Sequence, residues 1–76
     1  MKENNKDKFE ELLKLLENNF KFRFTGEQTK LYWNKLRKWK INTIERGFDY
    51  LIDKRKYSGC PTIGEINKAI ENSRNI

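Results

Sequence analysis

The sequence predicts an all-α fold: one small single domain of about four short helices, orthogonal or bundle-like. Three observations carry this. Apolar side chains recur at helical spacing in four separate stretches of a 76-residue chain, the pattern of helices that each bury one face. Between the stretches stand Thr25-Gly26-Glu27-Gln28, Asn42-Thr43-Ile44-Glu45 and Thr62-Ile63-Gly64-Glu65. Each has capping-box spacing, in which side chains at a helix start satisfy two otherwise orphaned backbone N–H groups. Finally, the one segment with two-residue alternation, residues 20–24, has no partner strand elsewhere, and five residues alone do not make a sheet.

The first helix is expected over about residues 6–19. Phe9, Leu12, Leu13, Leu16 and Phe20 share a stripe, with Glu10, Glu11, Lys14 and Glu17 opposite and Leu15 at its edge, so the buried face reads as broad. Phe20-Lys21-Phe22-Arg23-Phe24 then reads as an extended connector with its aromatic rings pressed into the core. The second helix is expected over about 26–38, opened by the Thr25/Gln28 box with Phe24 available as a hydrophobic staple. Tyr32, Trp33, Leu36 and Trp39 converge on its inner side; Lys30, Asn34, Arg37 and Lys38 point away.

Asn42 and Glu45 predict a third helix over about 43–54, with Ile44, Phe48, Leu51 and Ile52 inward. Gly47 within it costs about 1 kcal/mol relative to alanine, which points to a close helix contact. Residues 55–60 read as a loop, with Gly59 and Pro61 as breakers. The fourth helix is expected over about 63–72, with Ile63, Ile66 and Ile70 on one face and the last few residues fraying.

Composition narrows the function classes. One cysteine excludes an internal disulfide, and with no histidine a Cys/His metal site is excluded too. Cys60 reads as a small buried hydrophobe. The polar start, Met1 to Lys6, lacks the apolar stretch of a signal peptide, and no apolar run approaches the ~20 residues that span a bilayer. A cytoplasmic setting, away from membranes, is expected. Catalysis lacks its commonest general base near neutral pH. There is neither a glycine-rich phosphate loop nor a nucleophile elbow, and Asp49 and Asp53 read as solvated charge on a helix surface. The chain is expected to be no enzyme and to need no cofactor.

The net charge of +6 is concentrated in the middle: residues 25–57 hold nine basic and four acidic side chains. Two clusters result, Lys30, Leu31, Lys35, Arg37 and Lys38 on the second helix and Lys54, Arg55, Lys56 and Tyr57 after the third. These are the candidate contact residues for a partner. The plainer reading of both is a solvated face that keeps a small protein soluble. Lysines and arginines also attract phosphate by counterion release, while Leu31 among cations suits a protein surface. A helix-turn-helix reading is weakened by Asp49 and Asp53, which would face phosphate from the recognition helix.

Taken in order, several landmarks resemble the phage replicative-helicase loader-and-inhibitor family, in its N-terminal helical domain. They are the apolar first helix running into aromatics (Phe9 to Phe24), the threonine-started helix with Trp33 and Leu36, the amphipathic third helix from Ile44 to Ile52, and Pro61-Thr62-Ile63-Gly64-Glu65-Ile66. The resemblance spans about residues 6–70. It implies a non-enzymatic adaptor that binds a hexameric replicative helicase, holds it inactive and delivers it to an origin-bound initiator in the host bacterial cytoplasm. The matched positions are structural, so it assigns no binding residue. Two alternatives stay open: a basic nucleic-acid-binding module, and a small phage inhibitor of a host nucleic-acid-handling or defence complex.

Overall fold

The helical stripes read from the sequence bury one another in a computed structural model that describes residues 5–74. Four helices follow in order: α1 (Lys6–Phe20), α2 (Gly26–Leu36), α3 (Ile41–Lys54) and α4 (Ile63–Arg74), with no strand among the described residues. Phe9, Leu12, Leu13, Leu16 and Phe20 of α1 meet Tyr32, Trp33 and Leu36 of α2, Ile44, Phe48 and Leu51 of α3, and Ile66, Ala69 and Ile70 of α4 in one core. The radius of gyration, 11.4 Å, is that of a close-packed chain of this length, about 11 Å.

α3 and α4 form the most extensive helix contact. Gly47 makes it possible, because a Cβ there would stand 3.2 Å from the Ile70 Cα and would run into Ile70 Cγ1. The close contact expected at Gly47 is therefore present, and any side chain there must displace Ile70.

Two of the three capping boxes form. Thr25 Oγ1 accepts the Gln28 N–H at 3.0 Å while Gln28 Oε1 accepts the Thr25 N–H at 3.0 Å. Thr62 and Glu65 exchange the same pair of bonds at 3.1 and 3.0 Å. The third does not. α3 begins at Ile41, two residues before the expected start, and its N-cap is Lys40 with no side-chain cap bond. An earlier start lets Ile41 pack against the core, and Asn42 is left exposed within the first turn. α2 correspondingly stops at Leu36 rather than Lys38: the Trp39 N–H turns back to Leu36 O at 3.0 Å, and the chain becomes extended at Lys40.

The α1 stripe is narrower than expected, since Leu15 is exposed. α1 ends on Lys21 in the left-handed conformation (φ 56°, ψ 57°), with the Phe22 N–H on Glu17 O at 3.3 Å. The connector is then pinned by the Glu17 carboxylate, which accepts the Phe24 N–H at 2.6 Å. Phe22 and Phe24 are half-buried, and Phe24 stands edge-on to Tyr32 with ring centroids 5.0 Å apart. The expected staple does not form: the N4 position is the polar Thr29, and Phe24 packs instead on Tyr32, a turn further along α2. α4 reaches Arg74, whose guanidinium lies 5.4 Å from the Trp39 ring centroid. Arg74 is two residues beyond the expected end at about residue 72, so Ser73 and Arg74 are helical where fraying was expected. Residues 75–76 and the polar start at residues 1–4 lie outside the described residues. No helix among those described is long and apolar enough to cross a membrane.

Candidate interaction surface

α2 turns Tyr32, Trp33 and Leu36 inward, so helical geometry sets Lys30, Leu31, Asn34 and Lys35 on its outer side. Leu31 projects between Lys30 and Asn34 on one flank and Lys35 on the other, and it is 47% exposed. Lys38 follows in the α2–α3 turn, its Nζ 5.5 Å from the Trp39 ring centroid. Arg37 is exposed, with its guanidinium 5.8 Å from the Trp33 ring centroid. Cation–π contacts of this kind hold the cations close to the body of the domain. Trp39 itself is half-buried, and its indole N–H donates to Asn67 Oδ1 of α4 at 3.0 Å.

Lys30 also borders a groove between α1 and α2, of about 400 Å³, where Leu13 and Phe24 lie among Lys6, Lys14 and Glu10. Helix spacing gave no sign of this groove. It depends on how α1 and α2 pack, which a single-helix pattern does not encode.

The second basic cluster divides. Lys54 and Lys56 are exposed and Tyr57 is 60% exposed. Arg55, expected beside them as a contact residue, turns inward: its side chain is only 5% exposed. Its Nε donates to Glu65 Oε2 at 3.1 Å, and its Nη1 donates to Tyr57 O at 2.9 Å and Gly59 O at 2.8 Å. The guanidinium also lies 4.7 Å from the Phe20 ring centroid and 4.0 Å from that of Tyr57. Three acceptors and two rings converge on one planar cation, a geometry that arginine's fork of donors fits.

Glu65 serves both structures at once. Oε1 completes the α4 capping box, while Oε2 accepts from Arg55 and, at 2.6 Å, from the Tyr57 hydroxyl. The Tyr57 hydrogen bond, then the Thr62 N–H, then Arg55 favour the carboxylate and hold its pKa down to about 2 from an ordinary 4.5. The unfolded chain therefore binds the proton more readily than the folded one. Stability from this group is fully present above about pH 4.5 and drains away as the pH falls towards about 2. Glu65→Gln should accordingly be less stable than the parent at pH 7, and its stability should change less over that acid range. Urea melts at stepped pH check this. Parallel profiles for the two proteins would contradict it.

The loop is closed from the other side as well. The Gly59 N–H donates to Phe20 O at 2.7 Å, with Gly59 at φ 105°, a conformation glycine adopts freely. Tyr32 donates its hydroxyl to Pro61 O at 2.9 Å and lies 3.5 Å from Cys60 Sγ. Burial, with the Cys60 contact, pushes the Tyr32 phenol up, so it stays neutral and a donor. Cys60 is half-buried against this hydroxyl. Asp49 and Asp53 are exposed, as the sequence suggested.

Comparison with known protein families, with curated proteins and with solved structures finds no match to this chain.

Proposed function

We propose that this domain is a non-enzymatic adaptor or inhibitor, of the kind phages and mobile elements use, that docks a protein of the replication machinery through the outer face of α2. The observation that carries the reading is Leu31, an exposed apolar side chain set between Lys30 and Lys35. Protein interfaces pair a small apolar anchor with a polar rim, and the lysines would steer an acidic partner towards it. The adjoining α1–α2 groove, lined by Leu13 and Phe24 together with Lys30, offers a recess into which a partner side chain could insert. The family resemblance supplies the partner's chemistry: a hexameric replicative helicase.

The test is retention of the purified cognate helicase by the tagged domain, with ATP and after nuclease treatment. The parent protein should retain the hexamer. Leu31→Glu combined with Lys35→Glu should weaken retention at least about tenfold, the loss of one hot-spot anchor of about 1.4 kcal/mol or more. Both positions are exposed, so the melting temperature should hardly move. No retention by the parent removes the helicase as partner. Retention unaffected by the double substitution removes the α2 face.

A further inference from the structure

We infer that Tyr57 and the cleft beside it form a stacking site for an unpaired nucleobase, with Lys54 and Lys68 placed for the flanking phosphates. The site lies between the C-terminal half of α3, the loop after it and one side of α4, has no lining residue from α2, and does not rest on the helicase reading. Tyr57 is an exposed aromatic ring held in one place. Its hydroxyl is fixed to Glu65, and the Arg55 guanidinium lies 4.0 Å from the ring centroid. Exposed tyrosines ordinarily rotate; this one is restrained in advance of any ligand, which lowers the ordering cost of binding. An aromatic face with a cation behind it is the platform on which single-stranded nucleic acids stack, without regard to sequence.

The adjoining cleft fits the same ligand. Its volume is about 250 Å³, below the roughly 300–1,000 Å³ of pockets for drug-sized molecules. Tyr50 and Lys54, one helical turn apart on α3, and Lys68 and Asn72, one turn apart on α4, all border it. The aliphatic lining residues, Leu51 and Ala69, are buried. The exposed members of the lining are Tyr57, Lys54 and Lys68, with Tyr50, Glu65 and Asn72 half-buried beside them, a ring flanked by cations that favours a flat base over the aliphatic anchor of a peptide. The carboxylate within the site, Glu65, is occupied by Arg55, Tyr57 and Thr62. Asp49 and Asp53 border a neighbouring cleft that shares only Tyr50 with this one. An oligonucleotide backbone is thus directed to Lys54 and Lys68.

Fluorescence anisotropy with labelled oligothymidylate, oligouridylate and a duplex of the same length tests the site, with polyglutamate as competitor. Both single strands should bind at low salt, and more tightly than the duplex, whose bases are already stacked. Tyr57→Leu should weaken binding about tenfold, while Tyr57→Phe, which keeps the ring, should stay within a few-fold of the parent. Lys54→Glu with Lys68→Glu should lower the slope of log K against log salt by about 1.4, two single-strand phosphate contacts. Photocross-linking of bromodeoxyuridine oligonucleotide to the unaltered protein should map to Tyr57, whatever the fate of the Tyr57→Leu fold. Single strands that fail to bind, a preference for duplex, or a cross-link elsewhere overturns the inference. Displacement by polyglutamate as effective as by unlabelled oligonucleotide also overturns it, and would assign the cleft to an acidic protein. Oligodeoxyuridylate, which lacks the thymine methyl, separates base from sugar, and a preference between it and oligouridylate would identify DNA or RNA as the natural source.

Discussion

A Gly47→Val substitution should leave this domain largely unfolded, and Gly47→Ala should destabilise it measurably although alanine is the better helix former. The first Cβ would press on Ile70 Cγ1 and stand 3.2 Å from the Ile70 Cα. Cγ1 can be displaced by a change of rotamer, but the Cα moves only if α4 slides away from α3. Overpacking of this kind costs typically about 1–3 kcal/mol, against at most about 1 kcal/mol gained by alanine from helix propensity. Valine adds two methyl groups at the tightest point and forfeits most of the propensity gain. A core of this size supplies only about 3–5 kcal/mol in total, so the valine variant has little left. A double-mutant cycle with Ile70→Ala isolates the contact. Ile70 is fully buried, and its truncation alone should cost about 2–5 kcal/mol, so the cycle is best run in a stabilising osmolyte. With Gly47→Ala added, the new methyl enters the space that Cγ1 vacates, and the pair should cost at least about 0.5 kcal/mol less than the sum. Strict additivity would show that the two side chains never compete for one space.

Gly47 was legible because a helix-breaking residue inside a strong apolar stripe needs a packing reason, and close approach is the commonest. The stripes themselves were legible for a related cause: burial follows periodicity, and Phe9, Phe48 and Ile66 fall where their spacing puts them. Asn42 shows where local signals stop. Its capping box is as well spaced as those at Thr25 and Thr62, yet a cap worth about 1 kcal/mol yields when an earlier helix start packs Ile41 against the core. Leu15 is a comparable case, since the width of a buried stripe depends on how many neighbours the helix meets. Arg55 was the hardest to read. Within Lys54-Arg55-Lys56 nothing marks one cation as different from the others. Its burial comes from the convergence of Phe20, Tyr57, Gly59 and Glu65, which belong to distant stretches or to a loop without periodicity. The candidate surface on α2 was legible as the complement of a buried face; Lys54 and Tyr57 were legible as exposed contact residues, but the fixing of the Tyr57 ring by Arg55 and Glu65 was not.

Arg55→Ala should cost about 2–3 kcal/mol, the largest effect expected from any charged residue among those described. Removing one partner of a fully buried ion pair costs about 3–5 kcal/mol, because the other charge is stranded. Here Glu65 is 31% exposed and keeps its bonds from Tyr57 and Thr62, so water and those donors moderate the loss. The carbonyls of Tyr57 and Gly59 lose a charged donor each, and hydrogen bonds to charged groups are worth about 1.5–3 kcal/mol. Arg55→Lys should recover less than half of the loss, since an ammonium lacks the guanidinium's fixed fork of donors for Glu65, Tyr57 O and Gly59 O and its planar face for the Phe20 and Tyr57 rings. The damage should also be local before it is global. The Gly59 N–H, bonded to Phe20 O, should exchange with solvent faster in Arg55→Ala by more than the amides of α1 and α3, because the loop can open without the core. Stability within about 0.5 kcal/mol of the parent, or uniform exchange across the domain, would contradict this account. Tyr57 would lose the cation behind its ring at the same step. Arg55→Ala should therefore weaken single-strand binding although Arg55 itself, turned inward, offers a ligand almost no surface.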